Sequence, residues 1–263
     1  MDAAESRAGH EVARRGLAGA NRYGLGWALG GLAVGYLLSA IADAAYVGAS
    51  GHAHVSGDLG DELVRLVGLW IGLAGAAVAA ARSQQRTGLF RLRPALAREY
   101  GFSIRLWPDV PVGIACGVAA QYLLARVLEL PLLPFVPHLF HRLGAPARSL
   151  VADVHGPGLV VLGLFLCVFT PLVEELFFRG LLLRSLLGVF AFRLGRVAVP
   201  AAVVVVGLVF GLAHFEALQF TALAGFGIVV GAIATKTGRL GTGILAHAAF
   251  NAVAFISVAA IHF

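Results

Sequence analysis

Long apolar stretches separated by short polar ones run through the whole chain. From Tyr23 to Val47 the only charged side chain is Asp43. At 1.5 Å per helical residue this stretch spans the roughly 30 Å of a bilayer core. Further apolar stretches follow at about Leu63 to Ala81 and Val110 to Leu130, and from Pro157 through an acidic interruption toward Leu187. Three more cover about Val197 to His214, Leu218 to Ala234 and Leu240 to Ile261. The pattern predicts an all-α, polytopic transmembrane helix bundle with seven membrane segments, or eight if residues 181–192 form a separate membrane or interfacial helix. One transmembrane domain over residues 23–263 is expected, after a polar tail over residues 1–22. The first apolar stretch is too long for a signal peptide, so no cleaved segment is expected.

The polar connections set an orientation. Arg7, Arg14, Arg15 and Arg22 precede the first stretch, whereas residues 48–62 carry Asp58, Asp61 and Glu62 and no Lys or Arg. Arg82, Arg86, Arg91, Arg93, Arg98 and Arg105 follow the second stretch. Arg184, Arg193 and Arg196 follow the fourth, and Lys236 and Arg239 follow the sixth. By the positive-inside rule the N-terminus is cytoplasmic and residues 48–62 are external. The external connection over residues 131–156 contains Pro131, Pro134, Pro137, His138, His141 and His155. No acidic residue or close histidine pair completes a metal site there, so a structured loop is the simpler reading.

Composition agrees with a membrane protein. Hydrophobic residues make up 59% of the chain and charged residues 13%, against about 25% charged in soluble proteins. The net charge of +6 lies between apolar segments, where it sets topology, and calls for no nucleic-acid partner. The expected location is the plasma (inner) membrane, with the lipid bilayer itself as a partner. Cys116 and Cys167 sit in apolar stretches and read as small hydrophobes. Pro171 marks a bend before the acidic interruption. Gly26/Gly30, Gly31/Gly35 and Gly207/Gly211 have the spacing that lets helices approach closely.

Candidate chemistry lies at hydrophobic depth. A charged group near the bilayer centre costs roughly 2.5–3.5 kcal/mol on insertion scales, so Glu174, Glu175 and Arg179 in oily sequence need a function or a partner. Glu175 and Arg179 share a helical face and pair at i,i+4, while Glu174 points about 100° away, toward a cavity. A buried ion pair that merely locks helices explains Glu175 and Arg179 but not Glu174. His214 follows Phe210 by one turn, and His247 and Asn251 share a face of the last stretch. A carboxylate or histidine can activate water, and a histidine–asparagine pair can donate to an oxyanion, which together suit peptide hydrolysis. A divalent ion such as Zn²⁺ held by Glu174, His214 and His247 is an alternative way to activate water. There is no His-Glu-x-x-His, Gly-x-Ser-Gly or P-loop element.

The ordered set Glu174-Glu175-x-x-x-Arg179, Phe210-x-x-x-His214 and His247-x-x-x-Asn251 resembles the CPBP family. This family comprises CAAX prenyl proteases and bacteriocin-processing or bacteriocin-immunity proteins, also called type II CAAX endopeptidases or the abortive-infection family. The resemblance covers about residues 157–255, including a small-residue segment over Gly227 to Gly241. It implies an intramembrane endopeptidase acting on a membrane-associated or lipid-modified, in some members prenylated, protein or peptide. Its cavity is expected to open to the cytosol and the lipid. Glu174 would activate water with His214, His247 and Asn251 would stabilise the oxyanion, and Glu175 and Arg179 would organise the site. Zn²⁺ or another divalent metal and a metal-free glutamate–water mechanism both stay open. So do the oligomeric state, a non-proteolytic immunity, scaffold or regulatory role, and a transporter built on the same polar groups.

One tension stands. If the helix from Val197 starts at the cytoplasmic face, His214 lies about 25 Å along it, far from a cytosolic opening.

Overall fold

The computed structural model describes residues 24–51, 58–84, 91–124, 126–127 and 130–260. The expected tail over residues 1–22, and Arg86, lie outside the described residues. Helix α1 covers Leu25–Ser50 and α2 covers Leu59–Ser83. Asp58 starts α2, accepting from the amides of Gly60 and Asp61, and Asp61 and Glu62 sit in the first turn, where the helix dipole favours carboxylates. The two helices pack closely because an added Cβ at Gly35 of α1, or at Gly68 or Gly72 of α2, would meet the opposing backbone, and one at Gly31 would meet Ala76 and Phe177. Gly26 and Gly30, equally spaced, face open space. Spacing alone therefore did not distinguish the pair that is used.

A short helix α3, Leu92–Tyr100, lies beside the end of α2, with Tyr100 Oη donating to the Ala77 carbonyl at 2.8 Å. It ends at Gly101, whose φ of +66° abuts the left-handed Gly238 that ends a later helix. Helix α4 covers Asp109–Leu124, and a 3₁₀ turn at Leu130–Leu132 lies where Pro131 and Pro134 begin the irregular connection. Two small helices, α5 (Leu139–Leu143) and α6 (Ala145–Val151), cap this end of the molecule.

The next helical run is continuous from Pro157 but irregular. α7 (Pro157–Leu164) passes through a π turn at Phe165–Phe169 into α8 (Thr170–Glu175). A second π turn, Leu176–Leu182, leads into α9 (Leu183–Leu194). After a 3₁₀ turn, α10 (Ala198–Leu212) runs back against α9. Residues 181–192 are thus part of this run, not a separate interfacial helix. α11 (Phe220–Thr237) and α12 (Gly241–Ala259) complete the bundle.

By length and composition, five helical runs among the described residues are able to cross a membrane, and α4 is a shorter apolar helix. The expected count of seven or eight separate segments is not what this criterion returns. The expected fourth and fifth segments are contiguous in helix over Pro157–Leu212 but reverse at the 3₁₀ turn Gly195–Val197, and the expected third is helical over Asp109–Leu124 among the described residues. The architecture is an all-α, multi-spanning membrane bundle. Its core gathers Phe177, Phe178 and Leu181 around the run, Phe210 from α10, and Phe226 and Val230 from α11. A smaller apolar cluster of Val151, Val154, Leu159, Leu162 and Val258 holds the opposite end.

Candidate functional site

Pro171 shapes the hydrogen bonding of the π turn just ahead of the acidic pair. In the first π turn Thr170 N–H reaches back five residues to the Phe165 carbonyl. The donor that would serve Leu166 in the same pattern belongs to Pro171, which has no N–H. The Leu166 carbonyl instead accepts a 2.9 Å hydrogen bond from Asn251 Nδ2 of α12. Asn251 therefore docks the last helix onto the break in the long run, a contact that its sequence position did not reveal.

Between the two π turns, α8 presents Glu174 and Glu175 in different directions. Glu175 points inward and is fully buried. Its Oε1 accepts from Arg179 Nη1 at 2.7 Å and lies 3.0 Å from His247 Nδ1. Arg179 also donates to the Gly227 carbonyl of α11 at 3.2 Å. Its guanidinium carbon stands 4.6 Å from the centroid of the Phe210 ring, a cation–π distance. A buried guanidinium is thus matched by a carboxylate, a carbonyl and an aromatic face.

Glu174 faces the other way. It lines a cavity of about 660 Å³ together with Tyr36, Thr170, His214 and Asn251. The residue is 8% exposed, and its Oε2 has no hydrogen-bond partner. That oxygen lies 3.8 Å from His247 Nε2, too far for a direct hydrogen bond and close enough for a shared water. Thr170 Oγ1, also on the cavity, is likewise without a partner.

Both imidazoles are held by Nδ1. His214 Nδ1 lies 2.8 Å from the Phe210 carbonyl, which can only accept, so the proton sits on Nδ1 and the Nε2 lone pair is left for the cavity. His247 Nδ1 faces the carboxylate of Glu175, which leaves Nε2 toward Glu174. Phe210 is the common support. Its ring centroid lies 4.7 Å from that of His214 and 5.5 Å from that of His247. The sequence pattern named Phe210 as a motif position but gave no hint of this triple contact.

The turn carrying His214 is held from outside the motif. Tyr36 Oη of α1 donates to the Ala213 carbonyl at 2.5 Å, and its ring meets Phe215 edge-on. Phe215 adopts φ +55°, an uncommon conformation for a bulky residue that turns the chain immediately after His214. Gln219 Nε2 then donates to the Leu143 carbonyl at 2.7 Å, tying the turn to α5. Sequence reasoning missed Tyr36, since one tyrosine in a first apolar stretch carries no pattern.

The six residues expected at the site thus fall into two groups. Glu174, His214 and Asn251 line the cavity, and Glu175, Arg179 and His247 are packed behind it. As donors, Glu174 and the two Nε2 atoms suit a divalent ion, because each ring already has a partner on its other nitrogen. Among the described residues, however, no three such side chains converge tightly enough to hold one. His138, His141 and His155 likewise form no such group. Cys116 and Cys167 are not disulfide-bonded.

A family model described as Type II CAAX prenyl endopeptidase Rce1-like matches residues 156–253. No curated protein and no solved structure matches the chain. The matched segment contains Glu174, Glu175, Arg179, Phe210, His214, His247 and Asn251, and excludes Tyr36 and the residues of α2 on the cavity. At the level of the family, then, this part of the chain is similar to intramembrane proteases of the CAAX type.

Proposed function

We propose that this protein is an intramembrane endopeptidase that hydrolyses a peptide bond in a membrane-associated or lipid-modified polypeptide, with Glu174 and His214 activating the water. The observation that carries the reading is the division of labour between the paired glutamates. Glu175 is buried with its Oε1 engaged by both Arg179 and His247, whereas Glu174 lines a cavity that also receives His214. A merely structural ion pair needs only the first of these. The family match to residues 156–253 supports the same chemistry.

In this mechanism a water between Glu174 and His214 gives up one proton as its oxygen bonds to the scissile carbonyl carbon. The carbonyl π electrons move onto oxygen, and the resulting oxyanion is met by the Asn251 N–H that does not serve Leu166. His247, steadied by Glu175, keeps the Glu174 carboxylate oriented. The C–N bond then breaks as the abstracted proton is delivered to the leaving nitrogen. The products are a carboxylate and an amine, and one water is consumed.

The test is cleavage of a panel of lipid-modified and unmodified membrane peptides by purified protein in liposomes, with products identified by mass. Wild-type protein should cut at least one member, and Glu174→Ala and His214→Ala should not. Undiminished cleavage by Glu174→Ala overturns the mechanism. Biological activity that survives both substitutions at unchanged protein level favours the immunity or scaffold role. Elemental analysis of the active preparation separates a metal-dependent site from a glutamate–water one.

A further inference from the structure

The two ends of the bundle differ in charge, and the cavity opens at only one of them. α10 and α11 pack antiparallel, with Val203 opposite Gly231 and Gly211 opposite Ala224. The start of α10, with Arg193 and Arg196 just before it, therefore lies beside the end of α11 with Lys236 and Arg239. The Leu240 amide donates to the Gly101 carbonyl, and Asp109 binds the Arg105 amide, Arg239 and Thr242, which brings Arg98 and Arg105 to this same end. Arg82, at the end of α2, joins them, since Tyr100 is bonded to Ala77. Arg7, Arg14, Arg15 and Arg22 precede the start of α1 in sequence.

The cavity leads away from this basic end. Along α2 it is lined from Asp61 to Leu73, about 18 Å of helix, and Asp61 is at the start of α2. Along α12 it is lined only by the second half, from Phe250 to Val258. Its mouth is lined by Asp58, which caps α2, by Asp61 and Glu62, which pair with Arg65, and by Glu216. Toward the basic end the floor is shut. Glu175, Arg179 and His247 are buried there, Phe177 and Leu181 are fully enclosed, and Tyr100 covers Gly180.

From this arrangement we infer that the cavity is loaded from the extracytoplasmic side, and that its substrate is a membrane-anchored polypeptide presented on that side. The positive-inside rule makes the arginine-rich end cytoplasmic, so the mouth of the cavity faces outward. Glu174, more than nine-tenths buried, lies at the inner end of the cavity that this mouth opens into. The C-terminal tail of a cytoplasmic protein would meet only the sealed face. This reverses the cytosolic opening implied by the family resemblance. It also removes the tension over His214, because the far end of α10 is where the cavity lies. The access route rests on charge and geometry alone, whereas the substrate class rests on the proteolytic reading.

Cysteine labelling separates the two. In a background with Cys116→Ala and Cys167→Ala, single Ser149→Cys and Glu216→Cys variants report the mouth, and Lys236→Cys and Arg196→Cys report the other end. A membrane-impermeant maleimide should label the mouth variants in right-side-out spheroplasts and the basic-end variants only in inside-out vesicles. The reverse pattern, or labelling of both ends in both preparations, overturns the assignment whether or not any peptide is cleaved. If cleavage is found, reaction of Ser149→Cys with a bulky impermeant reagent from outside should lower it at least tenfold.

Discussion

His247 Nδ1 lies 3.0 Å from Glu175 Oε1, the same oxygen that accepts the 2.7 Å hydrogen bond from Arg179. One carboxylate oxygen therefore fixes both a guanidinium from its own helix and an imidazole from α12. The neighbouring Glu174 is left to the cavity because Glu175 satisfies these two groups.

Removing Glu175 should leave Arg179 buried without its counter-charge. Loss of one partner of a buried pair costs about 3–5 kcal/mol. Glu175→Ala should thus lower the unfolding temperature in detergent sharply, and Glu175→Leu with Arg179→Met should recover most of the loss. Independent, additive effects of the two changes would show that the pair is not coupled.

Asn251 should matter to the fold as well as to the chemistry. Asn251→Ala leaves the Leu166 carbonyl without its donor, worth about 1–3 kcal/mol where the group is buried. Asn251→Asp should destabilise more than Ala does, since it sets an acceptor against an acceptor. Thermal unfolding of the two variants distinguishes this from a role confined to the oxyanion, in which neither would change stability.

Phe210 is expected to be a positioning residue, with no contact to substrate. Phe210→Leu keeps most of the volume but removes the ring that supports His214, His247 and Arg179. Each lost aromatic contact is worth about 0.5–1.5 kcal/mol. In cleavage assays kcat should fall at least tenfold with KM unchanged. A raised KM with unchanged kcat would place the ring in substrate binding.

Much of the bundle was legible because oily stretches in a chain this poor in charge have few other uses. The i,i+4 spacing of Glu175 and Arg179 gave their pairing, and the 100° offset gave the separate direction of Glu174. Segment ends were not legible. The chain continues through α9 without a break at residue 181. The π turn after Glu175 left no mark in sequence beyond Gly180, and its hydrogen bonds reach one residue farther than helical spacing assumes. The direction of the cavity was hidden too, since it depends on how Asp58 to Arg65 meet Glu216, residues that are far apart in the chain. Tyr36 and the backbone role of Asn251 are contacts between distant segments, to which a single sequence with local patterns is blind.

The central claim is that Glu174 activates the hydrolytic water. It is tested most directly by comparing Glu174→Gln with wild-type protein, measuring both peptide cleavage in liposomes and thermal unfolding. Glutamine keeps the size and leaves Glu175, Arg179 and His247 in place. The expected result is a fall in kcat of about 10²–10⁴-fold, the range for loss of a general base, with the unfolding temperature unchanged. A Glu174→Gln protein that cleaves at the wild-type rate, or that loses activity only because it unfolds, contradicts the assignment.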